Sequence, residues 1–330
     1  MPPRQAECPW IACGCQTEGG DFLDTADLER NFAQAMEAVA RTIPQTVTLK
    51  EIDRLKHLIP HIEAAAPYSN LLDQKDCVWL HIAAARFYEG QSLWQPAEYW
   101  YEGCKNMTEA RFGSDHPATA SSLHNLAWLH YSQGRYREAE RLLLQALDIR
   151  QTQFGQDHPD TATSLNNLAE LYRSQGRYSE AEPLLLQALD IRQTQFGQDH
   201  PDTATGLNNL AALYQSQGRY REAEPLLLQA LDIYRTQLGQ DHPSTAQSLN
   251  NLAALYQSQG RYREAEPLYL QTLTIFIQKL GTDHPSTQTV LRNFLHFLQQ
   301  AIATEQSDRL SDHPITQDLL KQLTAEDQQT

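Results

Sequence analysis

Residues 157–198 read DHPDTATSLNNLAELYRSQGRYSEAEPLLLQALDIRQTQFGQ, and residues 199–240 repeat them with only seven differences. Within the first copy, Pro159 stands where a helix tolerates proline best, at its first position, and Asp160 puts negative charge in the first turn. Leu165, Leu168, Ala169, Leu171 and Tyr172 follow at three- and four-residue spacing, which marks one buried helical face. Gly176 interrupts that pattern. A second helix is predicted from about Tyr178 to Gln195, with Ala181, Leu184, Leu185, Ala188, Leu189 and Ile191 inward. Pro183 falls early in it, where a missing N–H costs at most one bond, and Gly197 ends it. One unit is therefore helix, tight turn, helix, loop.

The unit recurs. Asp-His-Pro returns with its histidine at His116, His158, His200, His242 and His284, each step 42 residues long. A fixed period of this size means stacked helix pairs in which each repeat buries its apolar face against the next. Alanine at 169, 181 and 188 has a packing reason, since helices approach closely only where side chains are small.

These residues resemble the tetratricopeptide repeat. Tyr172 and Tyr178 match its two aromatic positions, and Leu168, Ala169, Gly176, Ala181 and Ala188 match its Leu, small, turn-Gly, Ala and Ala positions. The 42-residue length, the Asn-Asn-Leu-Ala run and the Gln-Gly-Arg-Tyr-x-Glu-Ala-Glu-Pro run are similar to the kinesin light chain subtype. The resemblance implies an all-α fold, a right-handed superhelical solenoid of antiparallel helix pairs. It is strong over 115–282, which holds four repeats. Residues 73–114 keep Ala85, Tyr88, Trp94, Ala97, Glu98, Phe112 and Gly113 in register as a divergent repeat. Residues 283–325 read as a degenerate first helix followed by a C-terminal cap that folds back, with 301–313 a polar loop and 326–330 a frayed tail. Upstream, 21–72 is a helical lead-in with helices over 24–42 and 48–66, the second opened by a Thr48/Glu51 capping box. Residues 1–20 are expected to be a disordered tail.

The stretch from Asn31 to Leu72 resembles the lead-in before the repeats of bacterial signalling ATPases of the STAND class. That resemblance implies a sensor module, and a signalling ATPase encoded separately as its partner. None of the six lysines follows a glycine, so the chain has no phosphate loop. A true kinesin light chain is disfavoured, because residues 1–70 lack sustained heptads.

The family resemblance also places the first helix of each repeat along a concave groove. By register, the central column is Asn125, Asn167, Asn209, Asn251 and Asn293. Beside it run His124, Asn166, Asn208, Asn250 and Arg292. A third column holds Trp128, Glu170, Ala212, Ala254 and His296, and a fourth holds Tyr131, Arg173, Gln215, Gln257 and Gln299. An asparagine amide donates and accepts, so the central column can pair with the backbone of an extended peptide. Two other readings stay open: gene duplication alone, or bonds between neighbouring repeats. Trp128, Tyr131 and His124 break the consensus towards aromatics, which suits either a binding anchor or packing on the divergent repeat. The groove lacks the basic set of family members that clamp a C-terminal carboxylate.

Composition narrows the partners. Net charge is −15 with 26 basic and 41 acidic residues, which disfavours nucleic acid. No apolar stretch is long enough to span a membrane, and no secretory h-region is present. Five cysteines at irregular spacing give no disulfide framework, and a reducing cytoplasm fits them. Cys8, Cys13 and Cys15 lack the spacing of a zinc site, and Cys104 reads as a small core filler. The histidines before proline read as caps or loop packing, because one per repeat places them too far apart to share a metal. Arg135, Arg177, Arg219 and Arg261 are expected on the inter-helix turns beside glutamates. No nucleophile elbow, zinc-protease motif or nucleotide fingerprint occurs, so neither an enzyme nor a cofactor is expected. The reading is a scaffold that binds a protein or peptide ligand.

Overall fold

The loop before each first helix is built the same way every time. In the computed structural model, which describes residues 25–73 and 76–327, His158 is the N-cap of the helix Pro159–Ser174, and its Nδ1 accepts from the backbone N–H of Asp160 at 3.1 Å. Phe154 stacks on the His158 ring at 4.6 Å. The Thr161 hydroxyl donates to the carbonyl of Gly155 at 2.8 Å. Gly155 adopts φ 92°, a backbone that a side chain would strain. His200, His242 and His284 cap the next three first helices in the same manner. The histidines are capping residues, and the cap replaces the serine or aspartate usual at that position.

The chain forms two compact units, Met1–Gln153 and Phe154–Thr330. In the first, the described helices are α1 (Thr25–Ala40), α2 (Leu49–Leu55), α3 (Ile59–Ala65), α4 (Trp79–Glu89), α5 (Trp94–Phe112), α6 (Pro117–Ser132) and α7 (Tyr136–Phe154). In the second they are α8 (Pro159–Ser174), α9 (Tyr178–Phe196), α10 (Pro201–Ser216), α11 (Tyr220–Leu238), α12 (Pro243–Ser258), α13 (Tyr262–Leu280), α14 (Pro285–Ala303) and α15 (Pro314–Asp327). Among the described residues there is no strand, and successive helices pair as the repeat requires. The fold is the all-α tetratricopeptide solenoid class. The predicted stripe of α8 is buried throughout, and that of α9 is buried except for half-buried Leu184.

Within each tight turn one arginine does three things. Arg219 lies over the Tyr214 ring at 3.9 Å, donates to Glu222 within its own helix, and donates to Glu182 of the preceding pair at 2.8 Å. Arg261 repeats this with Tyr256, Glu264 and Glu224. Arg135 pairs with Glu98 in the first unit. The arginines therefore strap one pair to the next as well as lying on the turn. The bonds hold the Arg219 and Arg261 guanidiniums above their ordinary pKa, through Glu222 and Glu264 first.

The strap needs an end. Glu266, in the register of Glu182 and Glu224, has no further turn arginine to meet. It is 2% exposed and accepts from the Ser311 N–H at 2.7 Å, the Ser311 hydroxyl at 2.6 Å and the Thr316 hydroxyl at 2.7 Å. The C-terminal segment thus fills the place of a next repeat. Phe294, Phe297 and Leu298 of α14 close the core beneath it.

Three expectations need correction. The helix over 48–66 is two helices, because Pro60 has no N–H to continue α2 and instead opens α3. The capping box at Thr48 is present. The loop over 301–313 begins later: α14 runs on to Ala303, since buried Ala301 extends its apolar face, and Ser307–Arg309 form a 3-10 turn. Helix α15 stays helical to Asp327, two residues into the segment expected to fray. The tail over 1–20, with Cys8, Cys13 and Cys15, lies outside the described residues. Cys104 is buried, with Sγ 3.4 Å from the Ser122 hydroxyl. No helix among the described residues is long and apolar enough to cross a membrane.

Candidate functional site

In the second unit the first helices α8, α10, α12 and α14 stand side by side, joined by side chains rather than backbone. Asn209 Nδ2 donates to Asn166 Oδ1 at 3.2 Å, and Asn293 Nδ2 donates to Asn250 Oδ1 at 3.2 Å. Arg173 reaches the Ser216 hydroxyl, Gln215 reaches the Ser258 hydroxyl, and Gln257 donates to Gln300 at 2.8 Å. The repeat period lets each residue meet its counterpart one position on in the next helix.

These bonds divide the asparagines. Asn166 and Asn250 are buried, and Asn166 also donates to the Ala162 carbonyl at 2.8 Å. They belong to the scaffold, which corrects their placement as groove-lining residues: the i−4 carbonyl and the next repeat's amide hold them inward. Asn208 is half-buried, bonded to Tyr234 and reached by the Ser248 hydroxyl at 3.5 Å. Asn167, Asn209, Asn251 and Asn293 form the half-buried row between them. Asn209 and Asn293 use one N–H each towards the scaffold and keep the carbonyl, while Asn251 accepts from Gln247 at 3.1 Å and keeps its N–H groups. Ala212 and Ala254 leave space beside the row. Arg173 is held by Glu170 at 2.5 Å, so its charge is matched. Arg292 is exposed and donates to the Thr289 hydroxyl.

In the first unit the corresponding face of α6 is aromatic. Trp128 is 49% exposed and stacks on Tyr131 at 4.9 Å and 20°, and Tyr131 leans on Tyr136 at 5.8 Å. Asn125 lies half-buried on the same helix. His124 is different: burial, helped by the nearby Arg150 charge, pushes its pKa down to about 4. His81, on α4 against the edge of Trp100, is pushed to about 4 by burial alone. Both rings are neutral in the folded protein, whereas an unfolded histidine titrates near ~6.5. The unfolded chain therefore binds more protons between those values, and stability falls as pH drops from about 6.5 towards 4. The expected result is a melting temperature that declines through this window, with a shallower decline in a His81→Gln, His124→Gln variant. An unchanged slope by calorimetry would remove these residues from the account.

Sequence reasoning missed the turn tyrosines as partners of the strap arginines, although Tyr172 and Arg177 share a five-residue spacing in every copy. It also missed Arg192, which points inward from α9. Among the described residues no group of three or more histidines, cysteines or carboxylates gathers around a common point.

The tetratricopeptide repeat family model matches this chain over 76–152, 133–194, 160–236, 202–278 and 244–301. No curated protein sequence matches it. A solved kinesin light chain of Podosopora anserina, with nearly identical tetratricopeptide-like repeats, is 31% identical over 59% of this chain and 92% of that one, with a TM-score of 0.50. NprR in complex with its cognate peptide NprX is 13% identical over 92% of this chain and 89% of that one, at a TM-score of 0.56. A STAND protein of Pyrococcus horikoshii with a tetratricopeptide repeat sensor is 15% identical over 92% of this chain, which spans 43% of that protein, at a TM-score of 0.56. The last two likenesses are likenesses of fold. With the family model covering most of its length, this chain belongs to the tetratricopeptide repeat family, and its repeats are similar to those of kinesin light chain-like members.

Proposed function

We propose that this protein is a non-catalytic scaffold whose first-helix face in the second unit binds an extended peptide segment of a partner protein. The family commonly serves protein–protein and peptide binding. The observation that carries the reading is the row Asn167, Asn209, Asn251 and Asn293, half-buried and in line. Amide carbonyls at Asn209 and Asn293 and amide N–H groups at Asn251 remain to meet a strand's backbone, each such bond being worth about 0.5–1.5 kcal/mol net. The scaffold bonds fix those amides in orientation beforehand, which reduces the ordering cost of binding. In the first unit, the exposed Trp128–Tyr131 pair offers an apolar anchor for a ligand side chain. Since backbone contacts carry little sequence information, the face tolerates many sequences.

A selection of random linear peptides on the immobilised protein tests this. Binders are expected, and their affinity should drop in an Asn209→Ala, Asn251→Ala variant that melts within a few degrees of the parent. Binders indifferent to both substitutions would move the site elsewhere. Binding confined to a separately encoded ATPase, with no linear peptide selected, would favour the sensor reading. A cytoplasmic location accords with the free, buried Cys77 and Cys104.

A further inference from the structure

Seven positions separate the repeats 157–198 and 199–240, and two of them, the arginine of one pair and the glycine of the other, meet in space. Where the neighbouring repeats carry Ser164 and Ser248, the third carries Gly206. A Cβ built on Gly206 would come within 3.5 Å of Arg192 Nη1 and 3.0 Å of Leu189 Cδ1. The Arg192 side chain therefore lies across the bare backbone of α10. Arg192 is 8% exposed, and its buried Nη1 meets no hydrogen-bond acceptor among the described residues. Every other turn or helix arginine described above is bonded to a carboxylate or hydroxyl. Asp202 and Tyr234 are close enough to act on its charge, yet neither makes a salt bridge or hydrogen bond with it.

The register says which face this guanidinium approaches. Tyr234 occupies the same position one repeat later, and its hydroxyl bonds Thr205 at 2.7 Å and Asn208, both on the first-helix face. In the first unit, Arg150 at that position comes to 3.5 Å from the Ser121 hydroxyl and lies near His124. Side chains from this point of the second helix thus pass between first helices to the floor of the asparagine row.

We infer that Arg192, set over Gly206 beside Tyr234 and Asn208, is a carboxylate-binding site in the floor of the peptide face, and that it fixes the register of the bound peptide by taking one Asp or Glu side chain. An unpaired buried cation disfavours the empty state, and an acidic side chain supplies the missing acceptor. A guanidinium matches a planar carboxylate in two parallel bonds. Asp202 nearby favours a monoanion over a dianion such as a phosphoryl group. Because the repeats are otherwise near copies, the backbone-binding row alone permits a peptide to slide by one repeat. A charge found at one repeat only removes that freedom. This inference rests on the peptide-binding reading proposed above.

The test is sequencing of the random linear peptides selected on the parent protein, on Arg192→Gln and on Gly206→Ser. The parent should enrich Asp or Glu at one position. Arg192→Gln should select peptides without that preference, and should bind a parent-selected acidic peptide about tenfold or more weakly while binding its Asp→Asn or Glu→Gln analogue equally well. Gly206→Ser, which restores the neighbouring repeats' residue, should weaken the acidic preference by crowding the guanidinium. Arg192→Gln should melt at or above the parent's temperature, since no protein bond is lost. Peptides selected by the parent with no acidic position, or a preference that survives Arg192→Gln, would overturn the inference and leave the peptide face standing. A marked fall in melting temperature for Arg192→Gln would make the residue structural and overturn it as well. Failure to select any linear peptide would remove both readings.

Discussion

Glu266→Gln is expected to release the C-terminal helix while the repeats before it stay folded. The Glu266 carboxylate accepts three hydrogen bonds at 2.6–2.7 Å from Ser311 and Thr316, all in the segment that closes the second unit. A glutamine keeps the shape but turns an N–H pair towards one set of donors. Hydrogen bonds to a charged group are worth about 1.5–3 kcal/mol each, and buried donors left without an acceptor add their own desolvation cost. The expected loss is about 2–4 kcal/mol, concentrated in the docking of α15. Hydrogen exchange should show lost protection over 310–324 with α8–α12 unaffected. Glu224→Gln is the control. Its partner Arg261 is about a third exposed on the surface and keeps Glu264, so the change should stay within about 1 kcal/mol. Equal effects of the two substitutions, or full protection of α15 in Glu266→Gln, would contradict the account of the cap.

Trp128→Ala is expected to separate binding from folding. Half of the Trp128 surface faces solvent, and its stacking partner Tyr131 stays supported by Tyr136. Truncation therefore removes little buried area, and the melting temperature should move by no more than a few degrees. A binding anchor of this kind is worth about 2 kcal/mol or more, so affinity for a selected peptide should fall about thirtyfold. Trp128→Phe should recover part of it. A large drop in melting temperature with unchanged affinity would mean that Trp128 serves packing in the first unit.

Much of the fold was legible because the repeat states it several times. The 3.6-residue stripes, the alanines at close approaches, the glycines at the turns and the capping box at Thr48 each depend on neighbours close in sequence. Helix ends were harder. Pro60 splits a stretch whose apolar pattern reads as continuous, and α14 outruns its predicted end because Ala301 still finds a buried surface. The candidate site was legible only in part. Adjacent asparagines look alike in sequence, yet Asn166 turns inward to the Ala162 carbonyl while Asn167 stays half-buried, a difference set by rotation about the helix and by the next repeat. Glu266 is indistinguishable in sequence from Glu182 and Glu224, because the missing arginine lies in a repeat that does not follow. The contact of Arg192 with Gly206 joins two separate departures from the consensus, and only the packed structure brings them together.

The central claim is that the first-helix face of the second unit holds the ligand. Site-specific photocrosslinking with a selected peptide tests it most directly. A photoreactive residue placed at Ala212 or Ala254 lies beside the asparagine row, and one placed at Leu186 or Leu228 lies on the exposed surface of the second helices. The account predicts peptide adducts from the alanine positions and none from the leucines. Adducts from Leu186 and Leu228 with none from Ala212 and Ala254 would contradict it.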